Sequence, residues 1–327
     1  MAVPLSGCWP SPDIRSARTP LLVLIVLMAA TLVVALGGLV FDARVITGAP
    51  AWLKPAKFAI SIIVYAATLW LLLPALADRP RLVRFVSWVV GVGLTVEMLL
   101  IALQAARGTA SHFNFATPFD AVVFRIMGGT IMGIWLLTML LAVLFFRRTL
   151  AHPALTWGVR LGFVGSVIGM GVAILMTFPT PEQQQAVAAG LPTLVRGAHA
   201  VGVADGGPGL PILGWSTTGG DLRVAHSIGL HALQGVPIAA FLLTRYAPPS
   251  LSARAQAQLV GIVGAVWIAL TVLLTWQALR GQPLTAPDEA TVLALVVIVV
   301  VAGVATGGVV QRAVSHPHSR QELPTAG

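Results

Sequence analysis

Eight stretches of this chain are long and apolar enough to cross a lipid bilayer, and they limit its fold more than any other feature. They are 21–41, 58–77, 85–106, 126–146, 161–179, 224–244, 258–279 and 290–311. At 1.5 Å per residue, about 20 residues span a ~30 Å hydrocarbon core. Lipid offers no hydrogen bonds, so a spanning segment has to satisfy its own backbone, as a helix does. Leu, Val, Ile and Ala dominate these stretches and Gly is frequent, as in packed membrane helices. Hydrophobic residues make up 57% of the chain and charged residues 9%, proportions foreign to a soluble domain of this length. The expectation is an all-α, polytopic integral membrane protein with eight transmembrane helices.

The first apolar run is too long for the core of a signal peptide, and no small-residue cleavage site follows it, so it is expected to stay as a helix. Leu5-Ser6-Gly7-Cys8 has the look of a lipoprotein box, but no hydrophobic stretch precedes it and lipidation is not expected. Cys8 is the only cysteine, so an internal disulfide and a thiolate metal cluster are both excluded. The net charge of +9 does not indicate nucleic-acid binding, because the arginines are scattered over short inter-helix connections. Their sidedness is more telling. The termini and the connections 78–84, 147–160 and 245–256 carry 12 of the 20 Lys and Arg, and the other connections carry 8. The positive-inside rule then puts both termini in the cytoplasm, here of a bacterial inner membrane.

An internal repeat divides the chain. Leu53-Lys54-Pro55-Ala56-Lys57 precedes the second helix of one half, and Leu222-Arg223-Val224-Ala225-His226 precedes that of the other. Gln104-Ala105-Ala106-Arg107-Gly108 and Gln277-Ala278-Leu279-Arg280-Gly281 close the third helices. Arg-Gly is explained by helix capping, but the Gln three residues earlier is not. The layout expected is a cytoplasmic tail 1–19, a four-helix unit 20–156, a second unit 157–312 with a long outer loop 180–222, and a cytoplasmic tail 313–327. Units with an even number of helices are parallel copies. Within the long loop, Thr180-Pro181-Glu182 reads as a helix start, with a helix to about Val201 lying on the membrane surface. A mobile, Gly/Pro-rich stretch over 202–220 would follow, suited to a lid.

Glu97 is the one acid inside the spans, and an ionisable group at that depth is a functional-site candidate with a partner nearby. Counting residues places Glu97 and His231 each about 15 Å below the outer surface, near the midplane. The competing reading of Glu97 is a protonated carboxyl that only packs. Nearer the outer face come Gln104, His226, Lys57, Arg107, Asp120, Arg125 and Asp221, with His112 and Asn114 in the loop after the third helix. Gln234 shares a helix face with His231. Lys57, Lys54, Arg107 and Arg125 give this rim a basic bias that suits an anionic ligand or lipid headgroup. Arg125, about 10 Å into its helix, calls for a counter-ion among Asp120, Glu97 and Asp221. His226 and His231 are five apart and do not share a face of one helix, so a metal site would need His112, His226, His231 and Glu97 brought together from different helices. A haem held by a histidine pair is the other cofactor this composition permits.

The segment from Gln104 to Asn114, with that from His226 to Gln234, resembles a group of bacterial multi-pass membrane proteins of unknown function, a resemblance that implies no activity. The four-plus-four layout also looks like that of haem A synthases. Their pattern needs axial histidines at equivalent helices of both halves, whereas Lys57 stands opposite His226 here and the last helix has no histidine. The function expected first is binding or transport of a small anionic solute, with Glu97 and His231 as a proton-coupling pair. A membrane-embedded metal or haem enzyme and a structural subunit of a membrane complex are the alternatives.

Overall fold

The computed structural model describes residues 12–315, and Cys8 lies outside them, as do the tails expected at either end beyond these limits. A short helix α1 (Pro12–Ala17) leads into α2 (Thr19–Phe41), and a two-residue hairpin β1 (Val45–Ile46) and β2 (Ala49–Pro50) links α2 to α3 (Leu53–Leu72). A 3₁₀ turn extends α3 through Leu76, and α4 (Pro80–Ala106), α5 (Pro118–Phe146) and α6 (Pro153–Met176) follow. The second half continues with α7 (Pro181–Ala188), the paired strands β3 (Ala200–Val201) and β4 (Gly220–Asp221), then α8 (Leu222–Leu230), α9 (Ala232–Tyr246), α10 (Ala253–Leu279) and α11 (Glu289–Ser315). Among the described residues seven helices are long and apolar enough to cross a membrane, or eight if α8 and α9, bent by 43° at their junction, count as one span. The protein is an all-α, multi-pass membrane protein.

The helix starts follow from local chemistry. Proline occupies the first turn of α4, α5, α6 and α7, where its missing N–H costs nothing. Thr117, Thr180, Asp221 and Ser252 cap the starts of α5, α7, α8 and α10 with side-chain oxygens.

Each half is assembled in the same way. In the first, α2 packs along α3 and α4, and α4 along α5; in the second, α6 packs along α8, α9 and α10, and α10 along α11. The second seam is very close because α6 presents Gly158, Gly162, Gly165 and Gly169 to its neighbours. A Cβ on Gly169 would lie 2.3 Å from the backbone nitrogen of Leu230. With no hydrophobic drive between helices in lipid, such backbone-to-backbone packing is what holds them together.

The two Gln-Ala-x-Arg-Gly segments build matching helix ends. Gln104 and Gln277 are both buried, and each donates its amide to a carbonyl six residues on, at Ala110 and Pro283. Gly108 and Gly281 both sit at φ +73°, a left-handed position that glycine adopts freely. Arg107 pairs with Asp120 at 2.6 Å, and Arg280 pairs with Asp288, each acid lying at the start of the next helix.

Two sequence expectations give way here. The helix after Thr180 ends at Ala188 instead of reaching Val201, because Pro192 lies ahead and the chain turns to pair Val195 with Asn114. The span expected as one helix over 224–244 breaks at His231. There Trp267 of α10 donates its indole N–H to the carbonyl of Ile228 at 2.7 Å, the acceptor that Ala232 would use in an unbroken helix, and the side chain inserted in the ladder bends the chain.

Candidate functional site

A cavity of about 2100 Å³ lies between α3, α4 and α5 on one side and α6 and α8 on the other. Its position follows from what does not pack: among the described residues α3 shares no packed seam with α6 or α8. The inter-helix loops roof it at one end of the bundle. Arg44 reaches the carbonyl of Ala106 at 2.8 Å, and Asn114 pairs across to Val195. At the deep end, side-chain hydrogen bonds join the walls. Tyr65 meets Thr138 at 2.9 Å, Trp135 donates to the carbonyl of Val167 at 3.0 Å, and Gln234 donates to Thr68 at 3.0 Å.

Glu97, His231, His226, His112, Asn114 and Lys57 all border this cavity. Glu97 is 1% exposed, and neither carboxyl oxygen has a hydrogen-bond partner among the described residues. Buried carboxyls are expensive unless something satisfies them, so this one marks a place where a donor or a proton belongs. His231 stands at the α8–α9 break and donates Nδ1–H to Gln234 at 3.2 Å. His226 donates Nδ1–H to the carbonyl of Gly169 at 2.8 Å, a contact that the glycine seam of α6 makes possible. His226 and His231, five positions apart on α8 and its C-cap, both border the cavity although they do not share one helix face.

Both lysines of the chain, Lys54 and Lys57, are on the same wall. Lys54 donates to Nδ1 of His112 at 3.0 Å and lies 5.7 Å from the centre of the Phe58 ring. Lys57 donates to the carbonyl of Leu213 at 3.0 Å. Among the described residues neither ammonium has a carboxylate partner, although burial makes an unpaired charge costly. Arg223, next to them, is already paired with Asp221 at 2.6 Å.

Other sequence candidates are engaged in local contacts. Asp120 accepts from Gln104 at 2.8 Å, Arg107 at 2.6 Å and Thr117 at 2.7 Å, a closed cluster that fixes α4 against α5 away from the cavity lining. Asp221 caps α8 and holds Arg223 and the Ser216 backbone. Asn114 spends its amide on Thr109 and Ala110, shaping its own loop. Arg125 is exposed on α5 and, among the described residues, has no ion pair. Asp120 and Asp221 are taken by Arg107 and Arg223, and a long side chain about two turns into the helix reaches the interface without a counter-ion. The metal set does not assemble either. Among the described residues no three His, Cys, Asp or Glu side chains stand together as ligands. His112 instead turns its ring nitrogen to an ammonium.

The long loop contributes groups that its composition did not advertise. Asp205 accepts from Nδ1 of His199 at 2.7 Å and from the backbone of His199 and Ala200 at 3.1 and 2.8 Å. Burial pushes the Asp205 carboxyl up, but its bonds to His199 and Ala200 outweigh that and hold it down at about 2. Burial keeps the His199 ring below its ordinary value against the pull of Asp205, and burial beside Lys54 takes His112 well below. Gly206 meets Gly48 backbone to backbone, and the loop is tied to α3 by Lys57 and to α8 by Arg223 through Gly214. The stretch expected to be mobile is therefore a roof with several anchors. Its anchors are long-range contacts, and no sequence signal marked His199 and Asp205 as a pair. Comparison of the chain with family models, curated proteins and solved structures gives no match.

Proposed function

We propose that this multi-pass membrane protein binds an anionic solute in the cavity between its two helix groups and moves it across a bacterial inner membrane. Glu97 and His231 supply the proton coupling on the cavity wall. Both termini lie in the cytoplasm in this reading, so the roofed end of the cavity faces outward. One observation carries the proposal: the only two lysines of the chain border one cavity and, among the described residues, have no carboxylate partner, while a buried carboxyl on the same cavity has no hydrogen bond from them. Two ammonium groups that form no ion pair among the described residues attract an anion, and charge-assisted bonds to it are worth about 1.5–3 kcal/mol each.

The matching helix ends at Arg107 and Arg280 support the further proposal that the halves descend from one duplicated four-helix unit. In that case Lys54 and Arg223 are equivalent positions that have diverged. Arg223 kept an acidic partner and Lys54 has none, so the anion site is a property of the first copy.

The test is anion binding and uptake with the purified protein. The double variant Lys54→Ala, Lys57→Ala is expected to lose small carboxylate binding by about 100-fold, the sum of two charge-assisted bonds at the low end of their range. Glu97→Gln is expected to retain binding while uptake into proteoliposomes loses its dependence on a pH gradient. Unchanged binding in the lysine variant contradicts the anion site, and unchanged pH dependence in Glu97→Gln reduces that carboxyl to a packing group.

A further inference from the structure

The cavity is much larger than a site for a small anion needs. Pockets for small molecules run to roughly 300–1,000 Å³, and this one is about 2100 Å³. Its chemistry is also segregated. The charged and imidazole groups lie on α3, α4, α8 and the roof loops, whereas the α5 wall is Met127, Gly128, Ile131, Met132, Ile134 and Trp135. Methionine and small residues in such a surface give a wall that adapts to flexible chains. At Gly128 the wall is bare, since an added Cβ would find no atom within 4 Å.

The cavity is also reachable at bilayer depth. Residues tie α3 to the second half above, through Lys57 to Leu213, and below, through Gln234 to Thr68. Between those two ties α3 shows Ile60 and Val64 to the cavity edge, and α8 shows Ile228 and Leu230. Ile60 is 51% exposed. An edge of this kind, apolar and without a packed seam, admits a hydrocarbon chain and repels a hydrated ion.

We infer that the occupant is an acidic amphiphile, a long hydrocarbon chain ending in a carboxylate or phosphate, with its head at Lys54 and Lys57 and its chain along α5, taken from the bilayer between α3 and α8. This inference rests on the anion reading above and narrows its substrate to a lipid-like class. A water-soluble anion uses the same lysines but leaves the α5 wall unused.

The two are separated by comparing radiolabelled hexadecanoate with butanoate, on protein in phosphatidylcholine nanodiscs, with binding to empty nanodiscs subtracted. Wild type is expected to hold hexadecanoate more than about tenfold tighter than butanoate, because the longer chain buries many more methylenes. Gly128→Trp, which fills the bare part of the α5 wall, is expected to weaken hexadecanoate about tenfold and leave butanoate unchanged. A large apolar residue also forms helix more readily than glycine, so the variant should fold, and its butanoate binding reports whether it has. Lys54→Ala with Lys57→Ala should weaken both ligands. Equal affinity for the two chain lengths, or a Gly128→Trp protein with unchanged hexadecanoate binding, overturns the amphiphile inference and leaves the anion reading standing. Wild type that binds neither ligand overturns both.

Discussion

Glu97 is a buried carboxyl with no hydrogen-bond partner among the described residues, and a group of that kind has a stability consequence that can be measured. Leaving a polar group unpaired in the interior costs about 1–3 kcal/mol, so replacing it with an apolar side chain of similar size removes a cost. Glu97→Met is expected to raise the thermal midpoint of the empty protein while abolishing pH-dependent uptake, the trade that marks a residue retained for function. A lower midpoint means the carboxyl has a stabilising partner. The roof makes a second prediction. His112 and His199 are both held below their ordinary value by burial, so at neutral pH they are uncharged folded and unfolded alike. As pH falls below about 6.5 the unfolded chain takes up protons that the folded one refuses, and stability declines. Asp205 acts later: its contribution is present above about 3.9 and is lost only as pH falls through its folded value of about 2. Thermal midpoints measured between pH 7.5 and 5 should therefore drop, and the drop should shrink in His112→Gln, His199→Gln. Sequence alone singled out Glu97, because one acid in an apolar run is visible without a fold. It did not single out His199 and Asp205, which sit in a loop without periodicity and meet only through a turn.

At the scale of elements, every membrane helix was legible, because the apolar run that lipid demands is a property of consecutive residues. What was not legible was where those runs bend and what they leave open. The break at His231 arises where Trp267 takes the Ile228 carbonyl and Gly229 fits closely on Gly169, long-range contacts that consecutive residues do not display. The glycine seam of α6 offers a direct check. Gly169→Leu is expected to destabilise the protein by more than about 2 kcal/mol, since its Cβ would overlap the backbone at Leu230 and no side-chain motion relieves that. Gly303→Leu on α11, where nothing lies within 4 Å, should be neutral or mildly stabilising. Unfolding in denaturing detergent, read by circular dichroism, distinguishes the two. Equal effects would mean that the α6 seam is looser than its geometry.

For the molecule as a whole, two similarly packed groups of helices meet at their deep ends and part towards the roof, and the cavity is the space where they part. The likeness of Gln104–Gly108 to Gln277–Gly281 was visible in the sequence, but the space between the helix groups was not, because it depends on which helices fail to touch. The same limit applies to the metal and haem alternatives: the histidines are close in number and type to a ligand set, and only their placement separates them. In this reading Lys54 and Lys57 hold the ligand's acidic head, and the Glu97 carboxyl stays apart from both. The most direct measurement is a cryo-electron microscopy map of the protein extracted with its own lipids. It should show non-protein density in contact with Nζ of Lys54 and Lys57 and extending along α5 past Gly128, with Glu97 still facing the cavity. A map in which Glu97 forms an ion pair with either lysine, and the α5 wall has closed over the space, would contradict it.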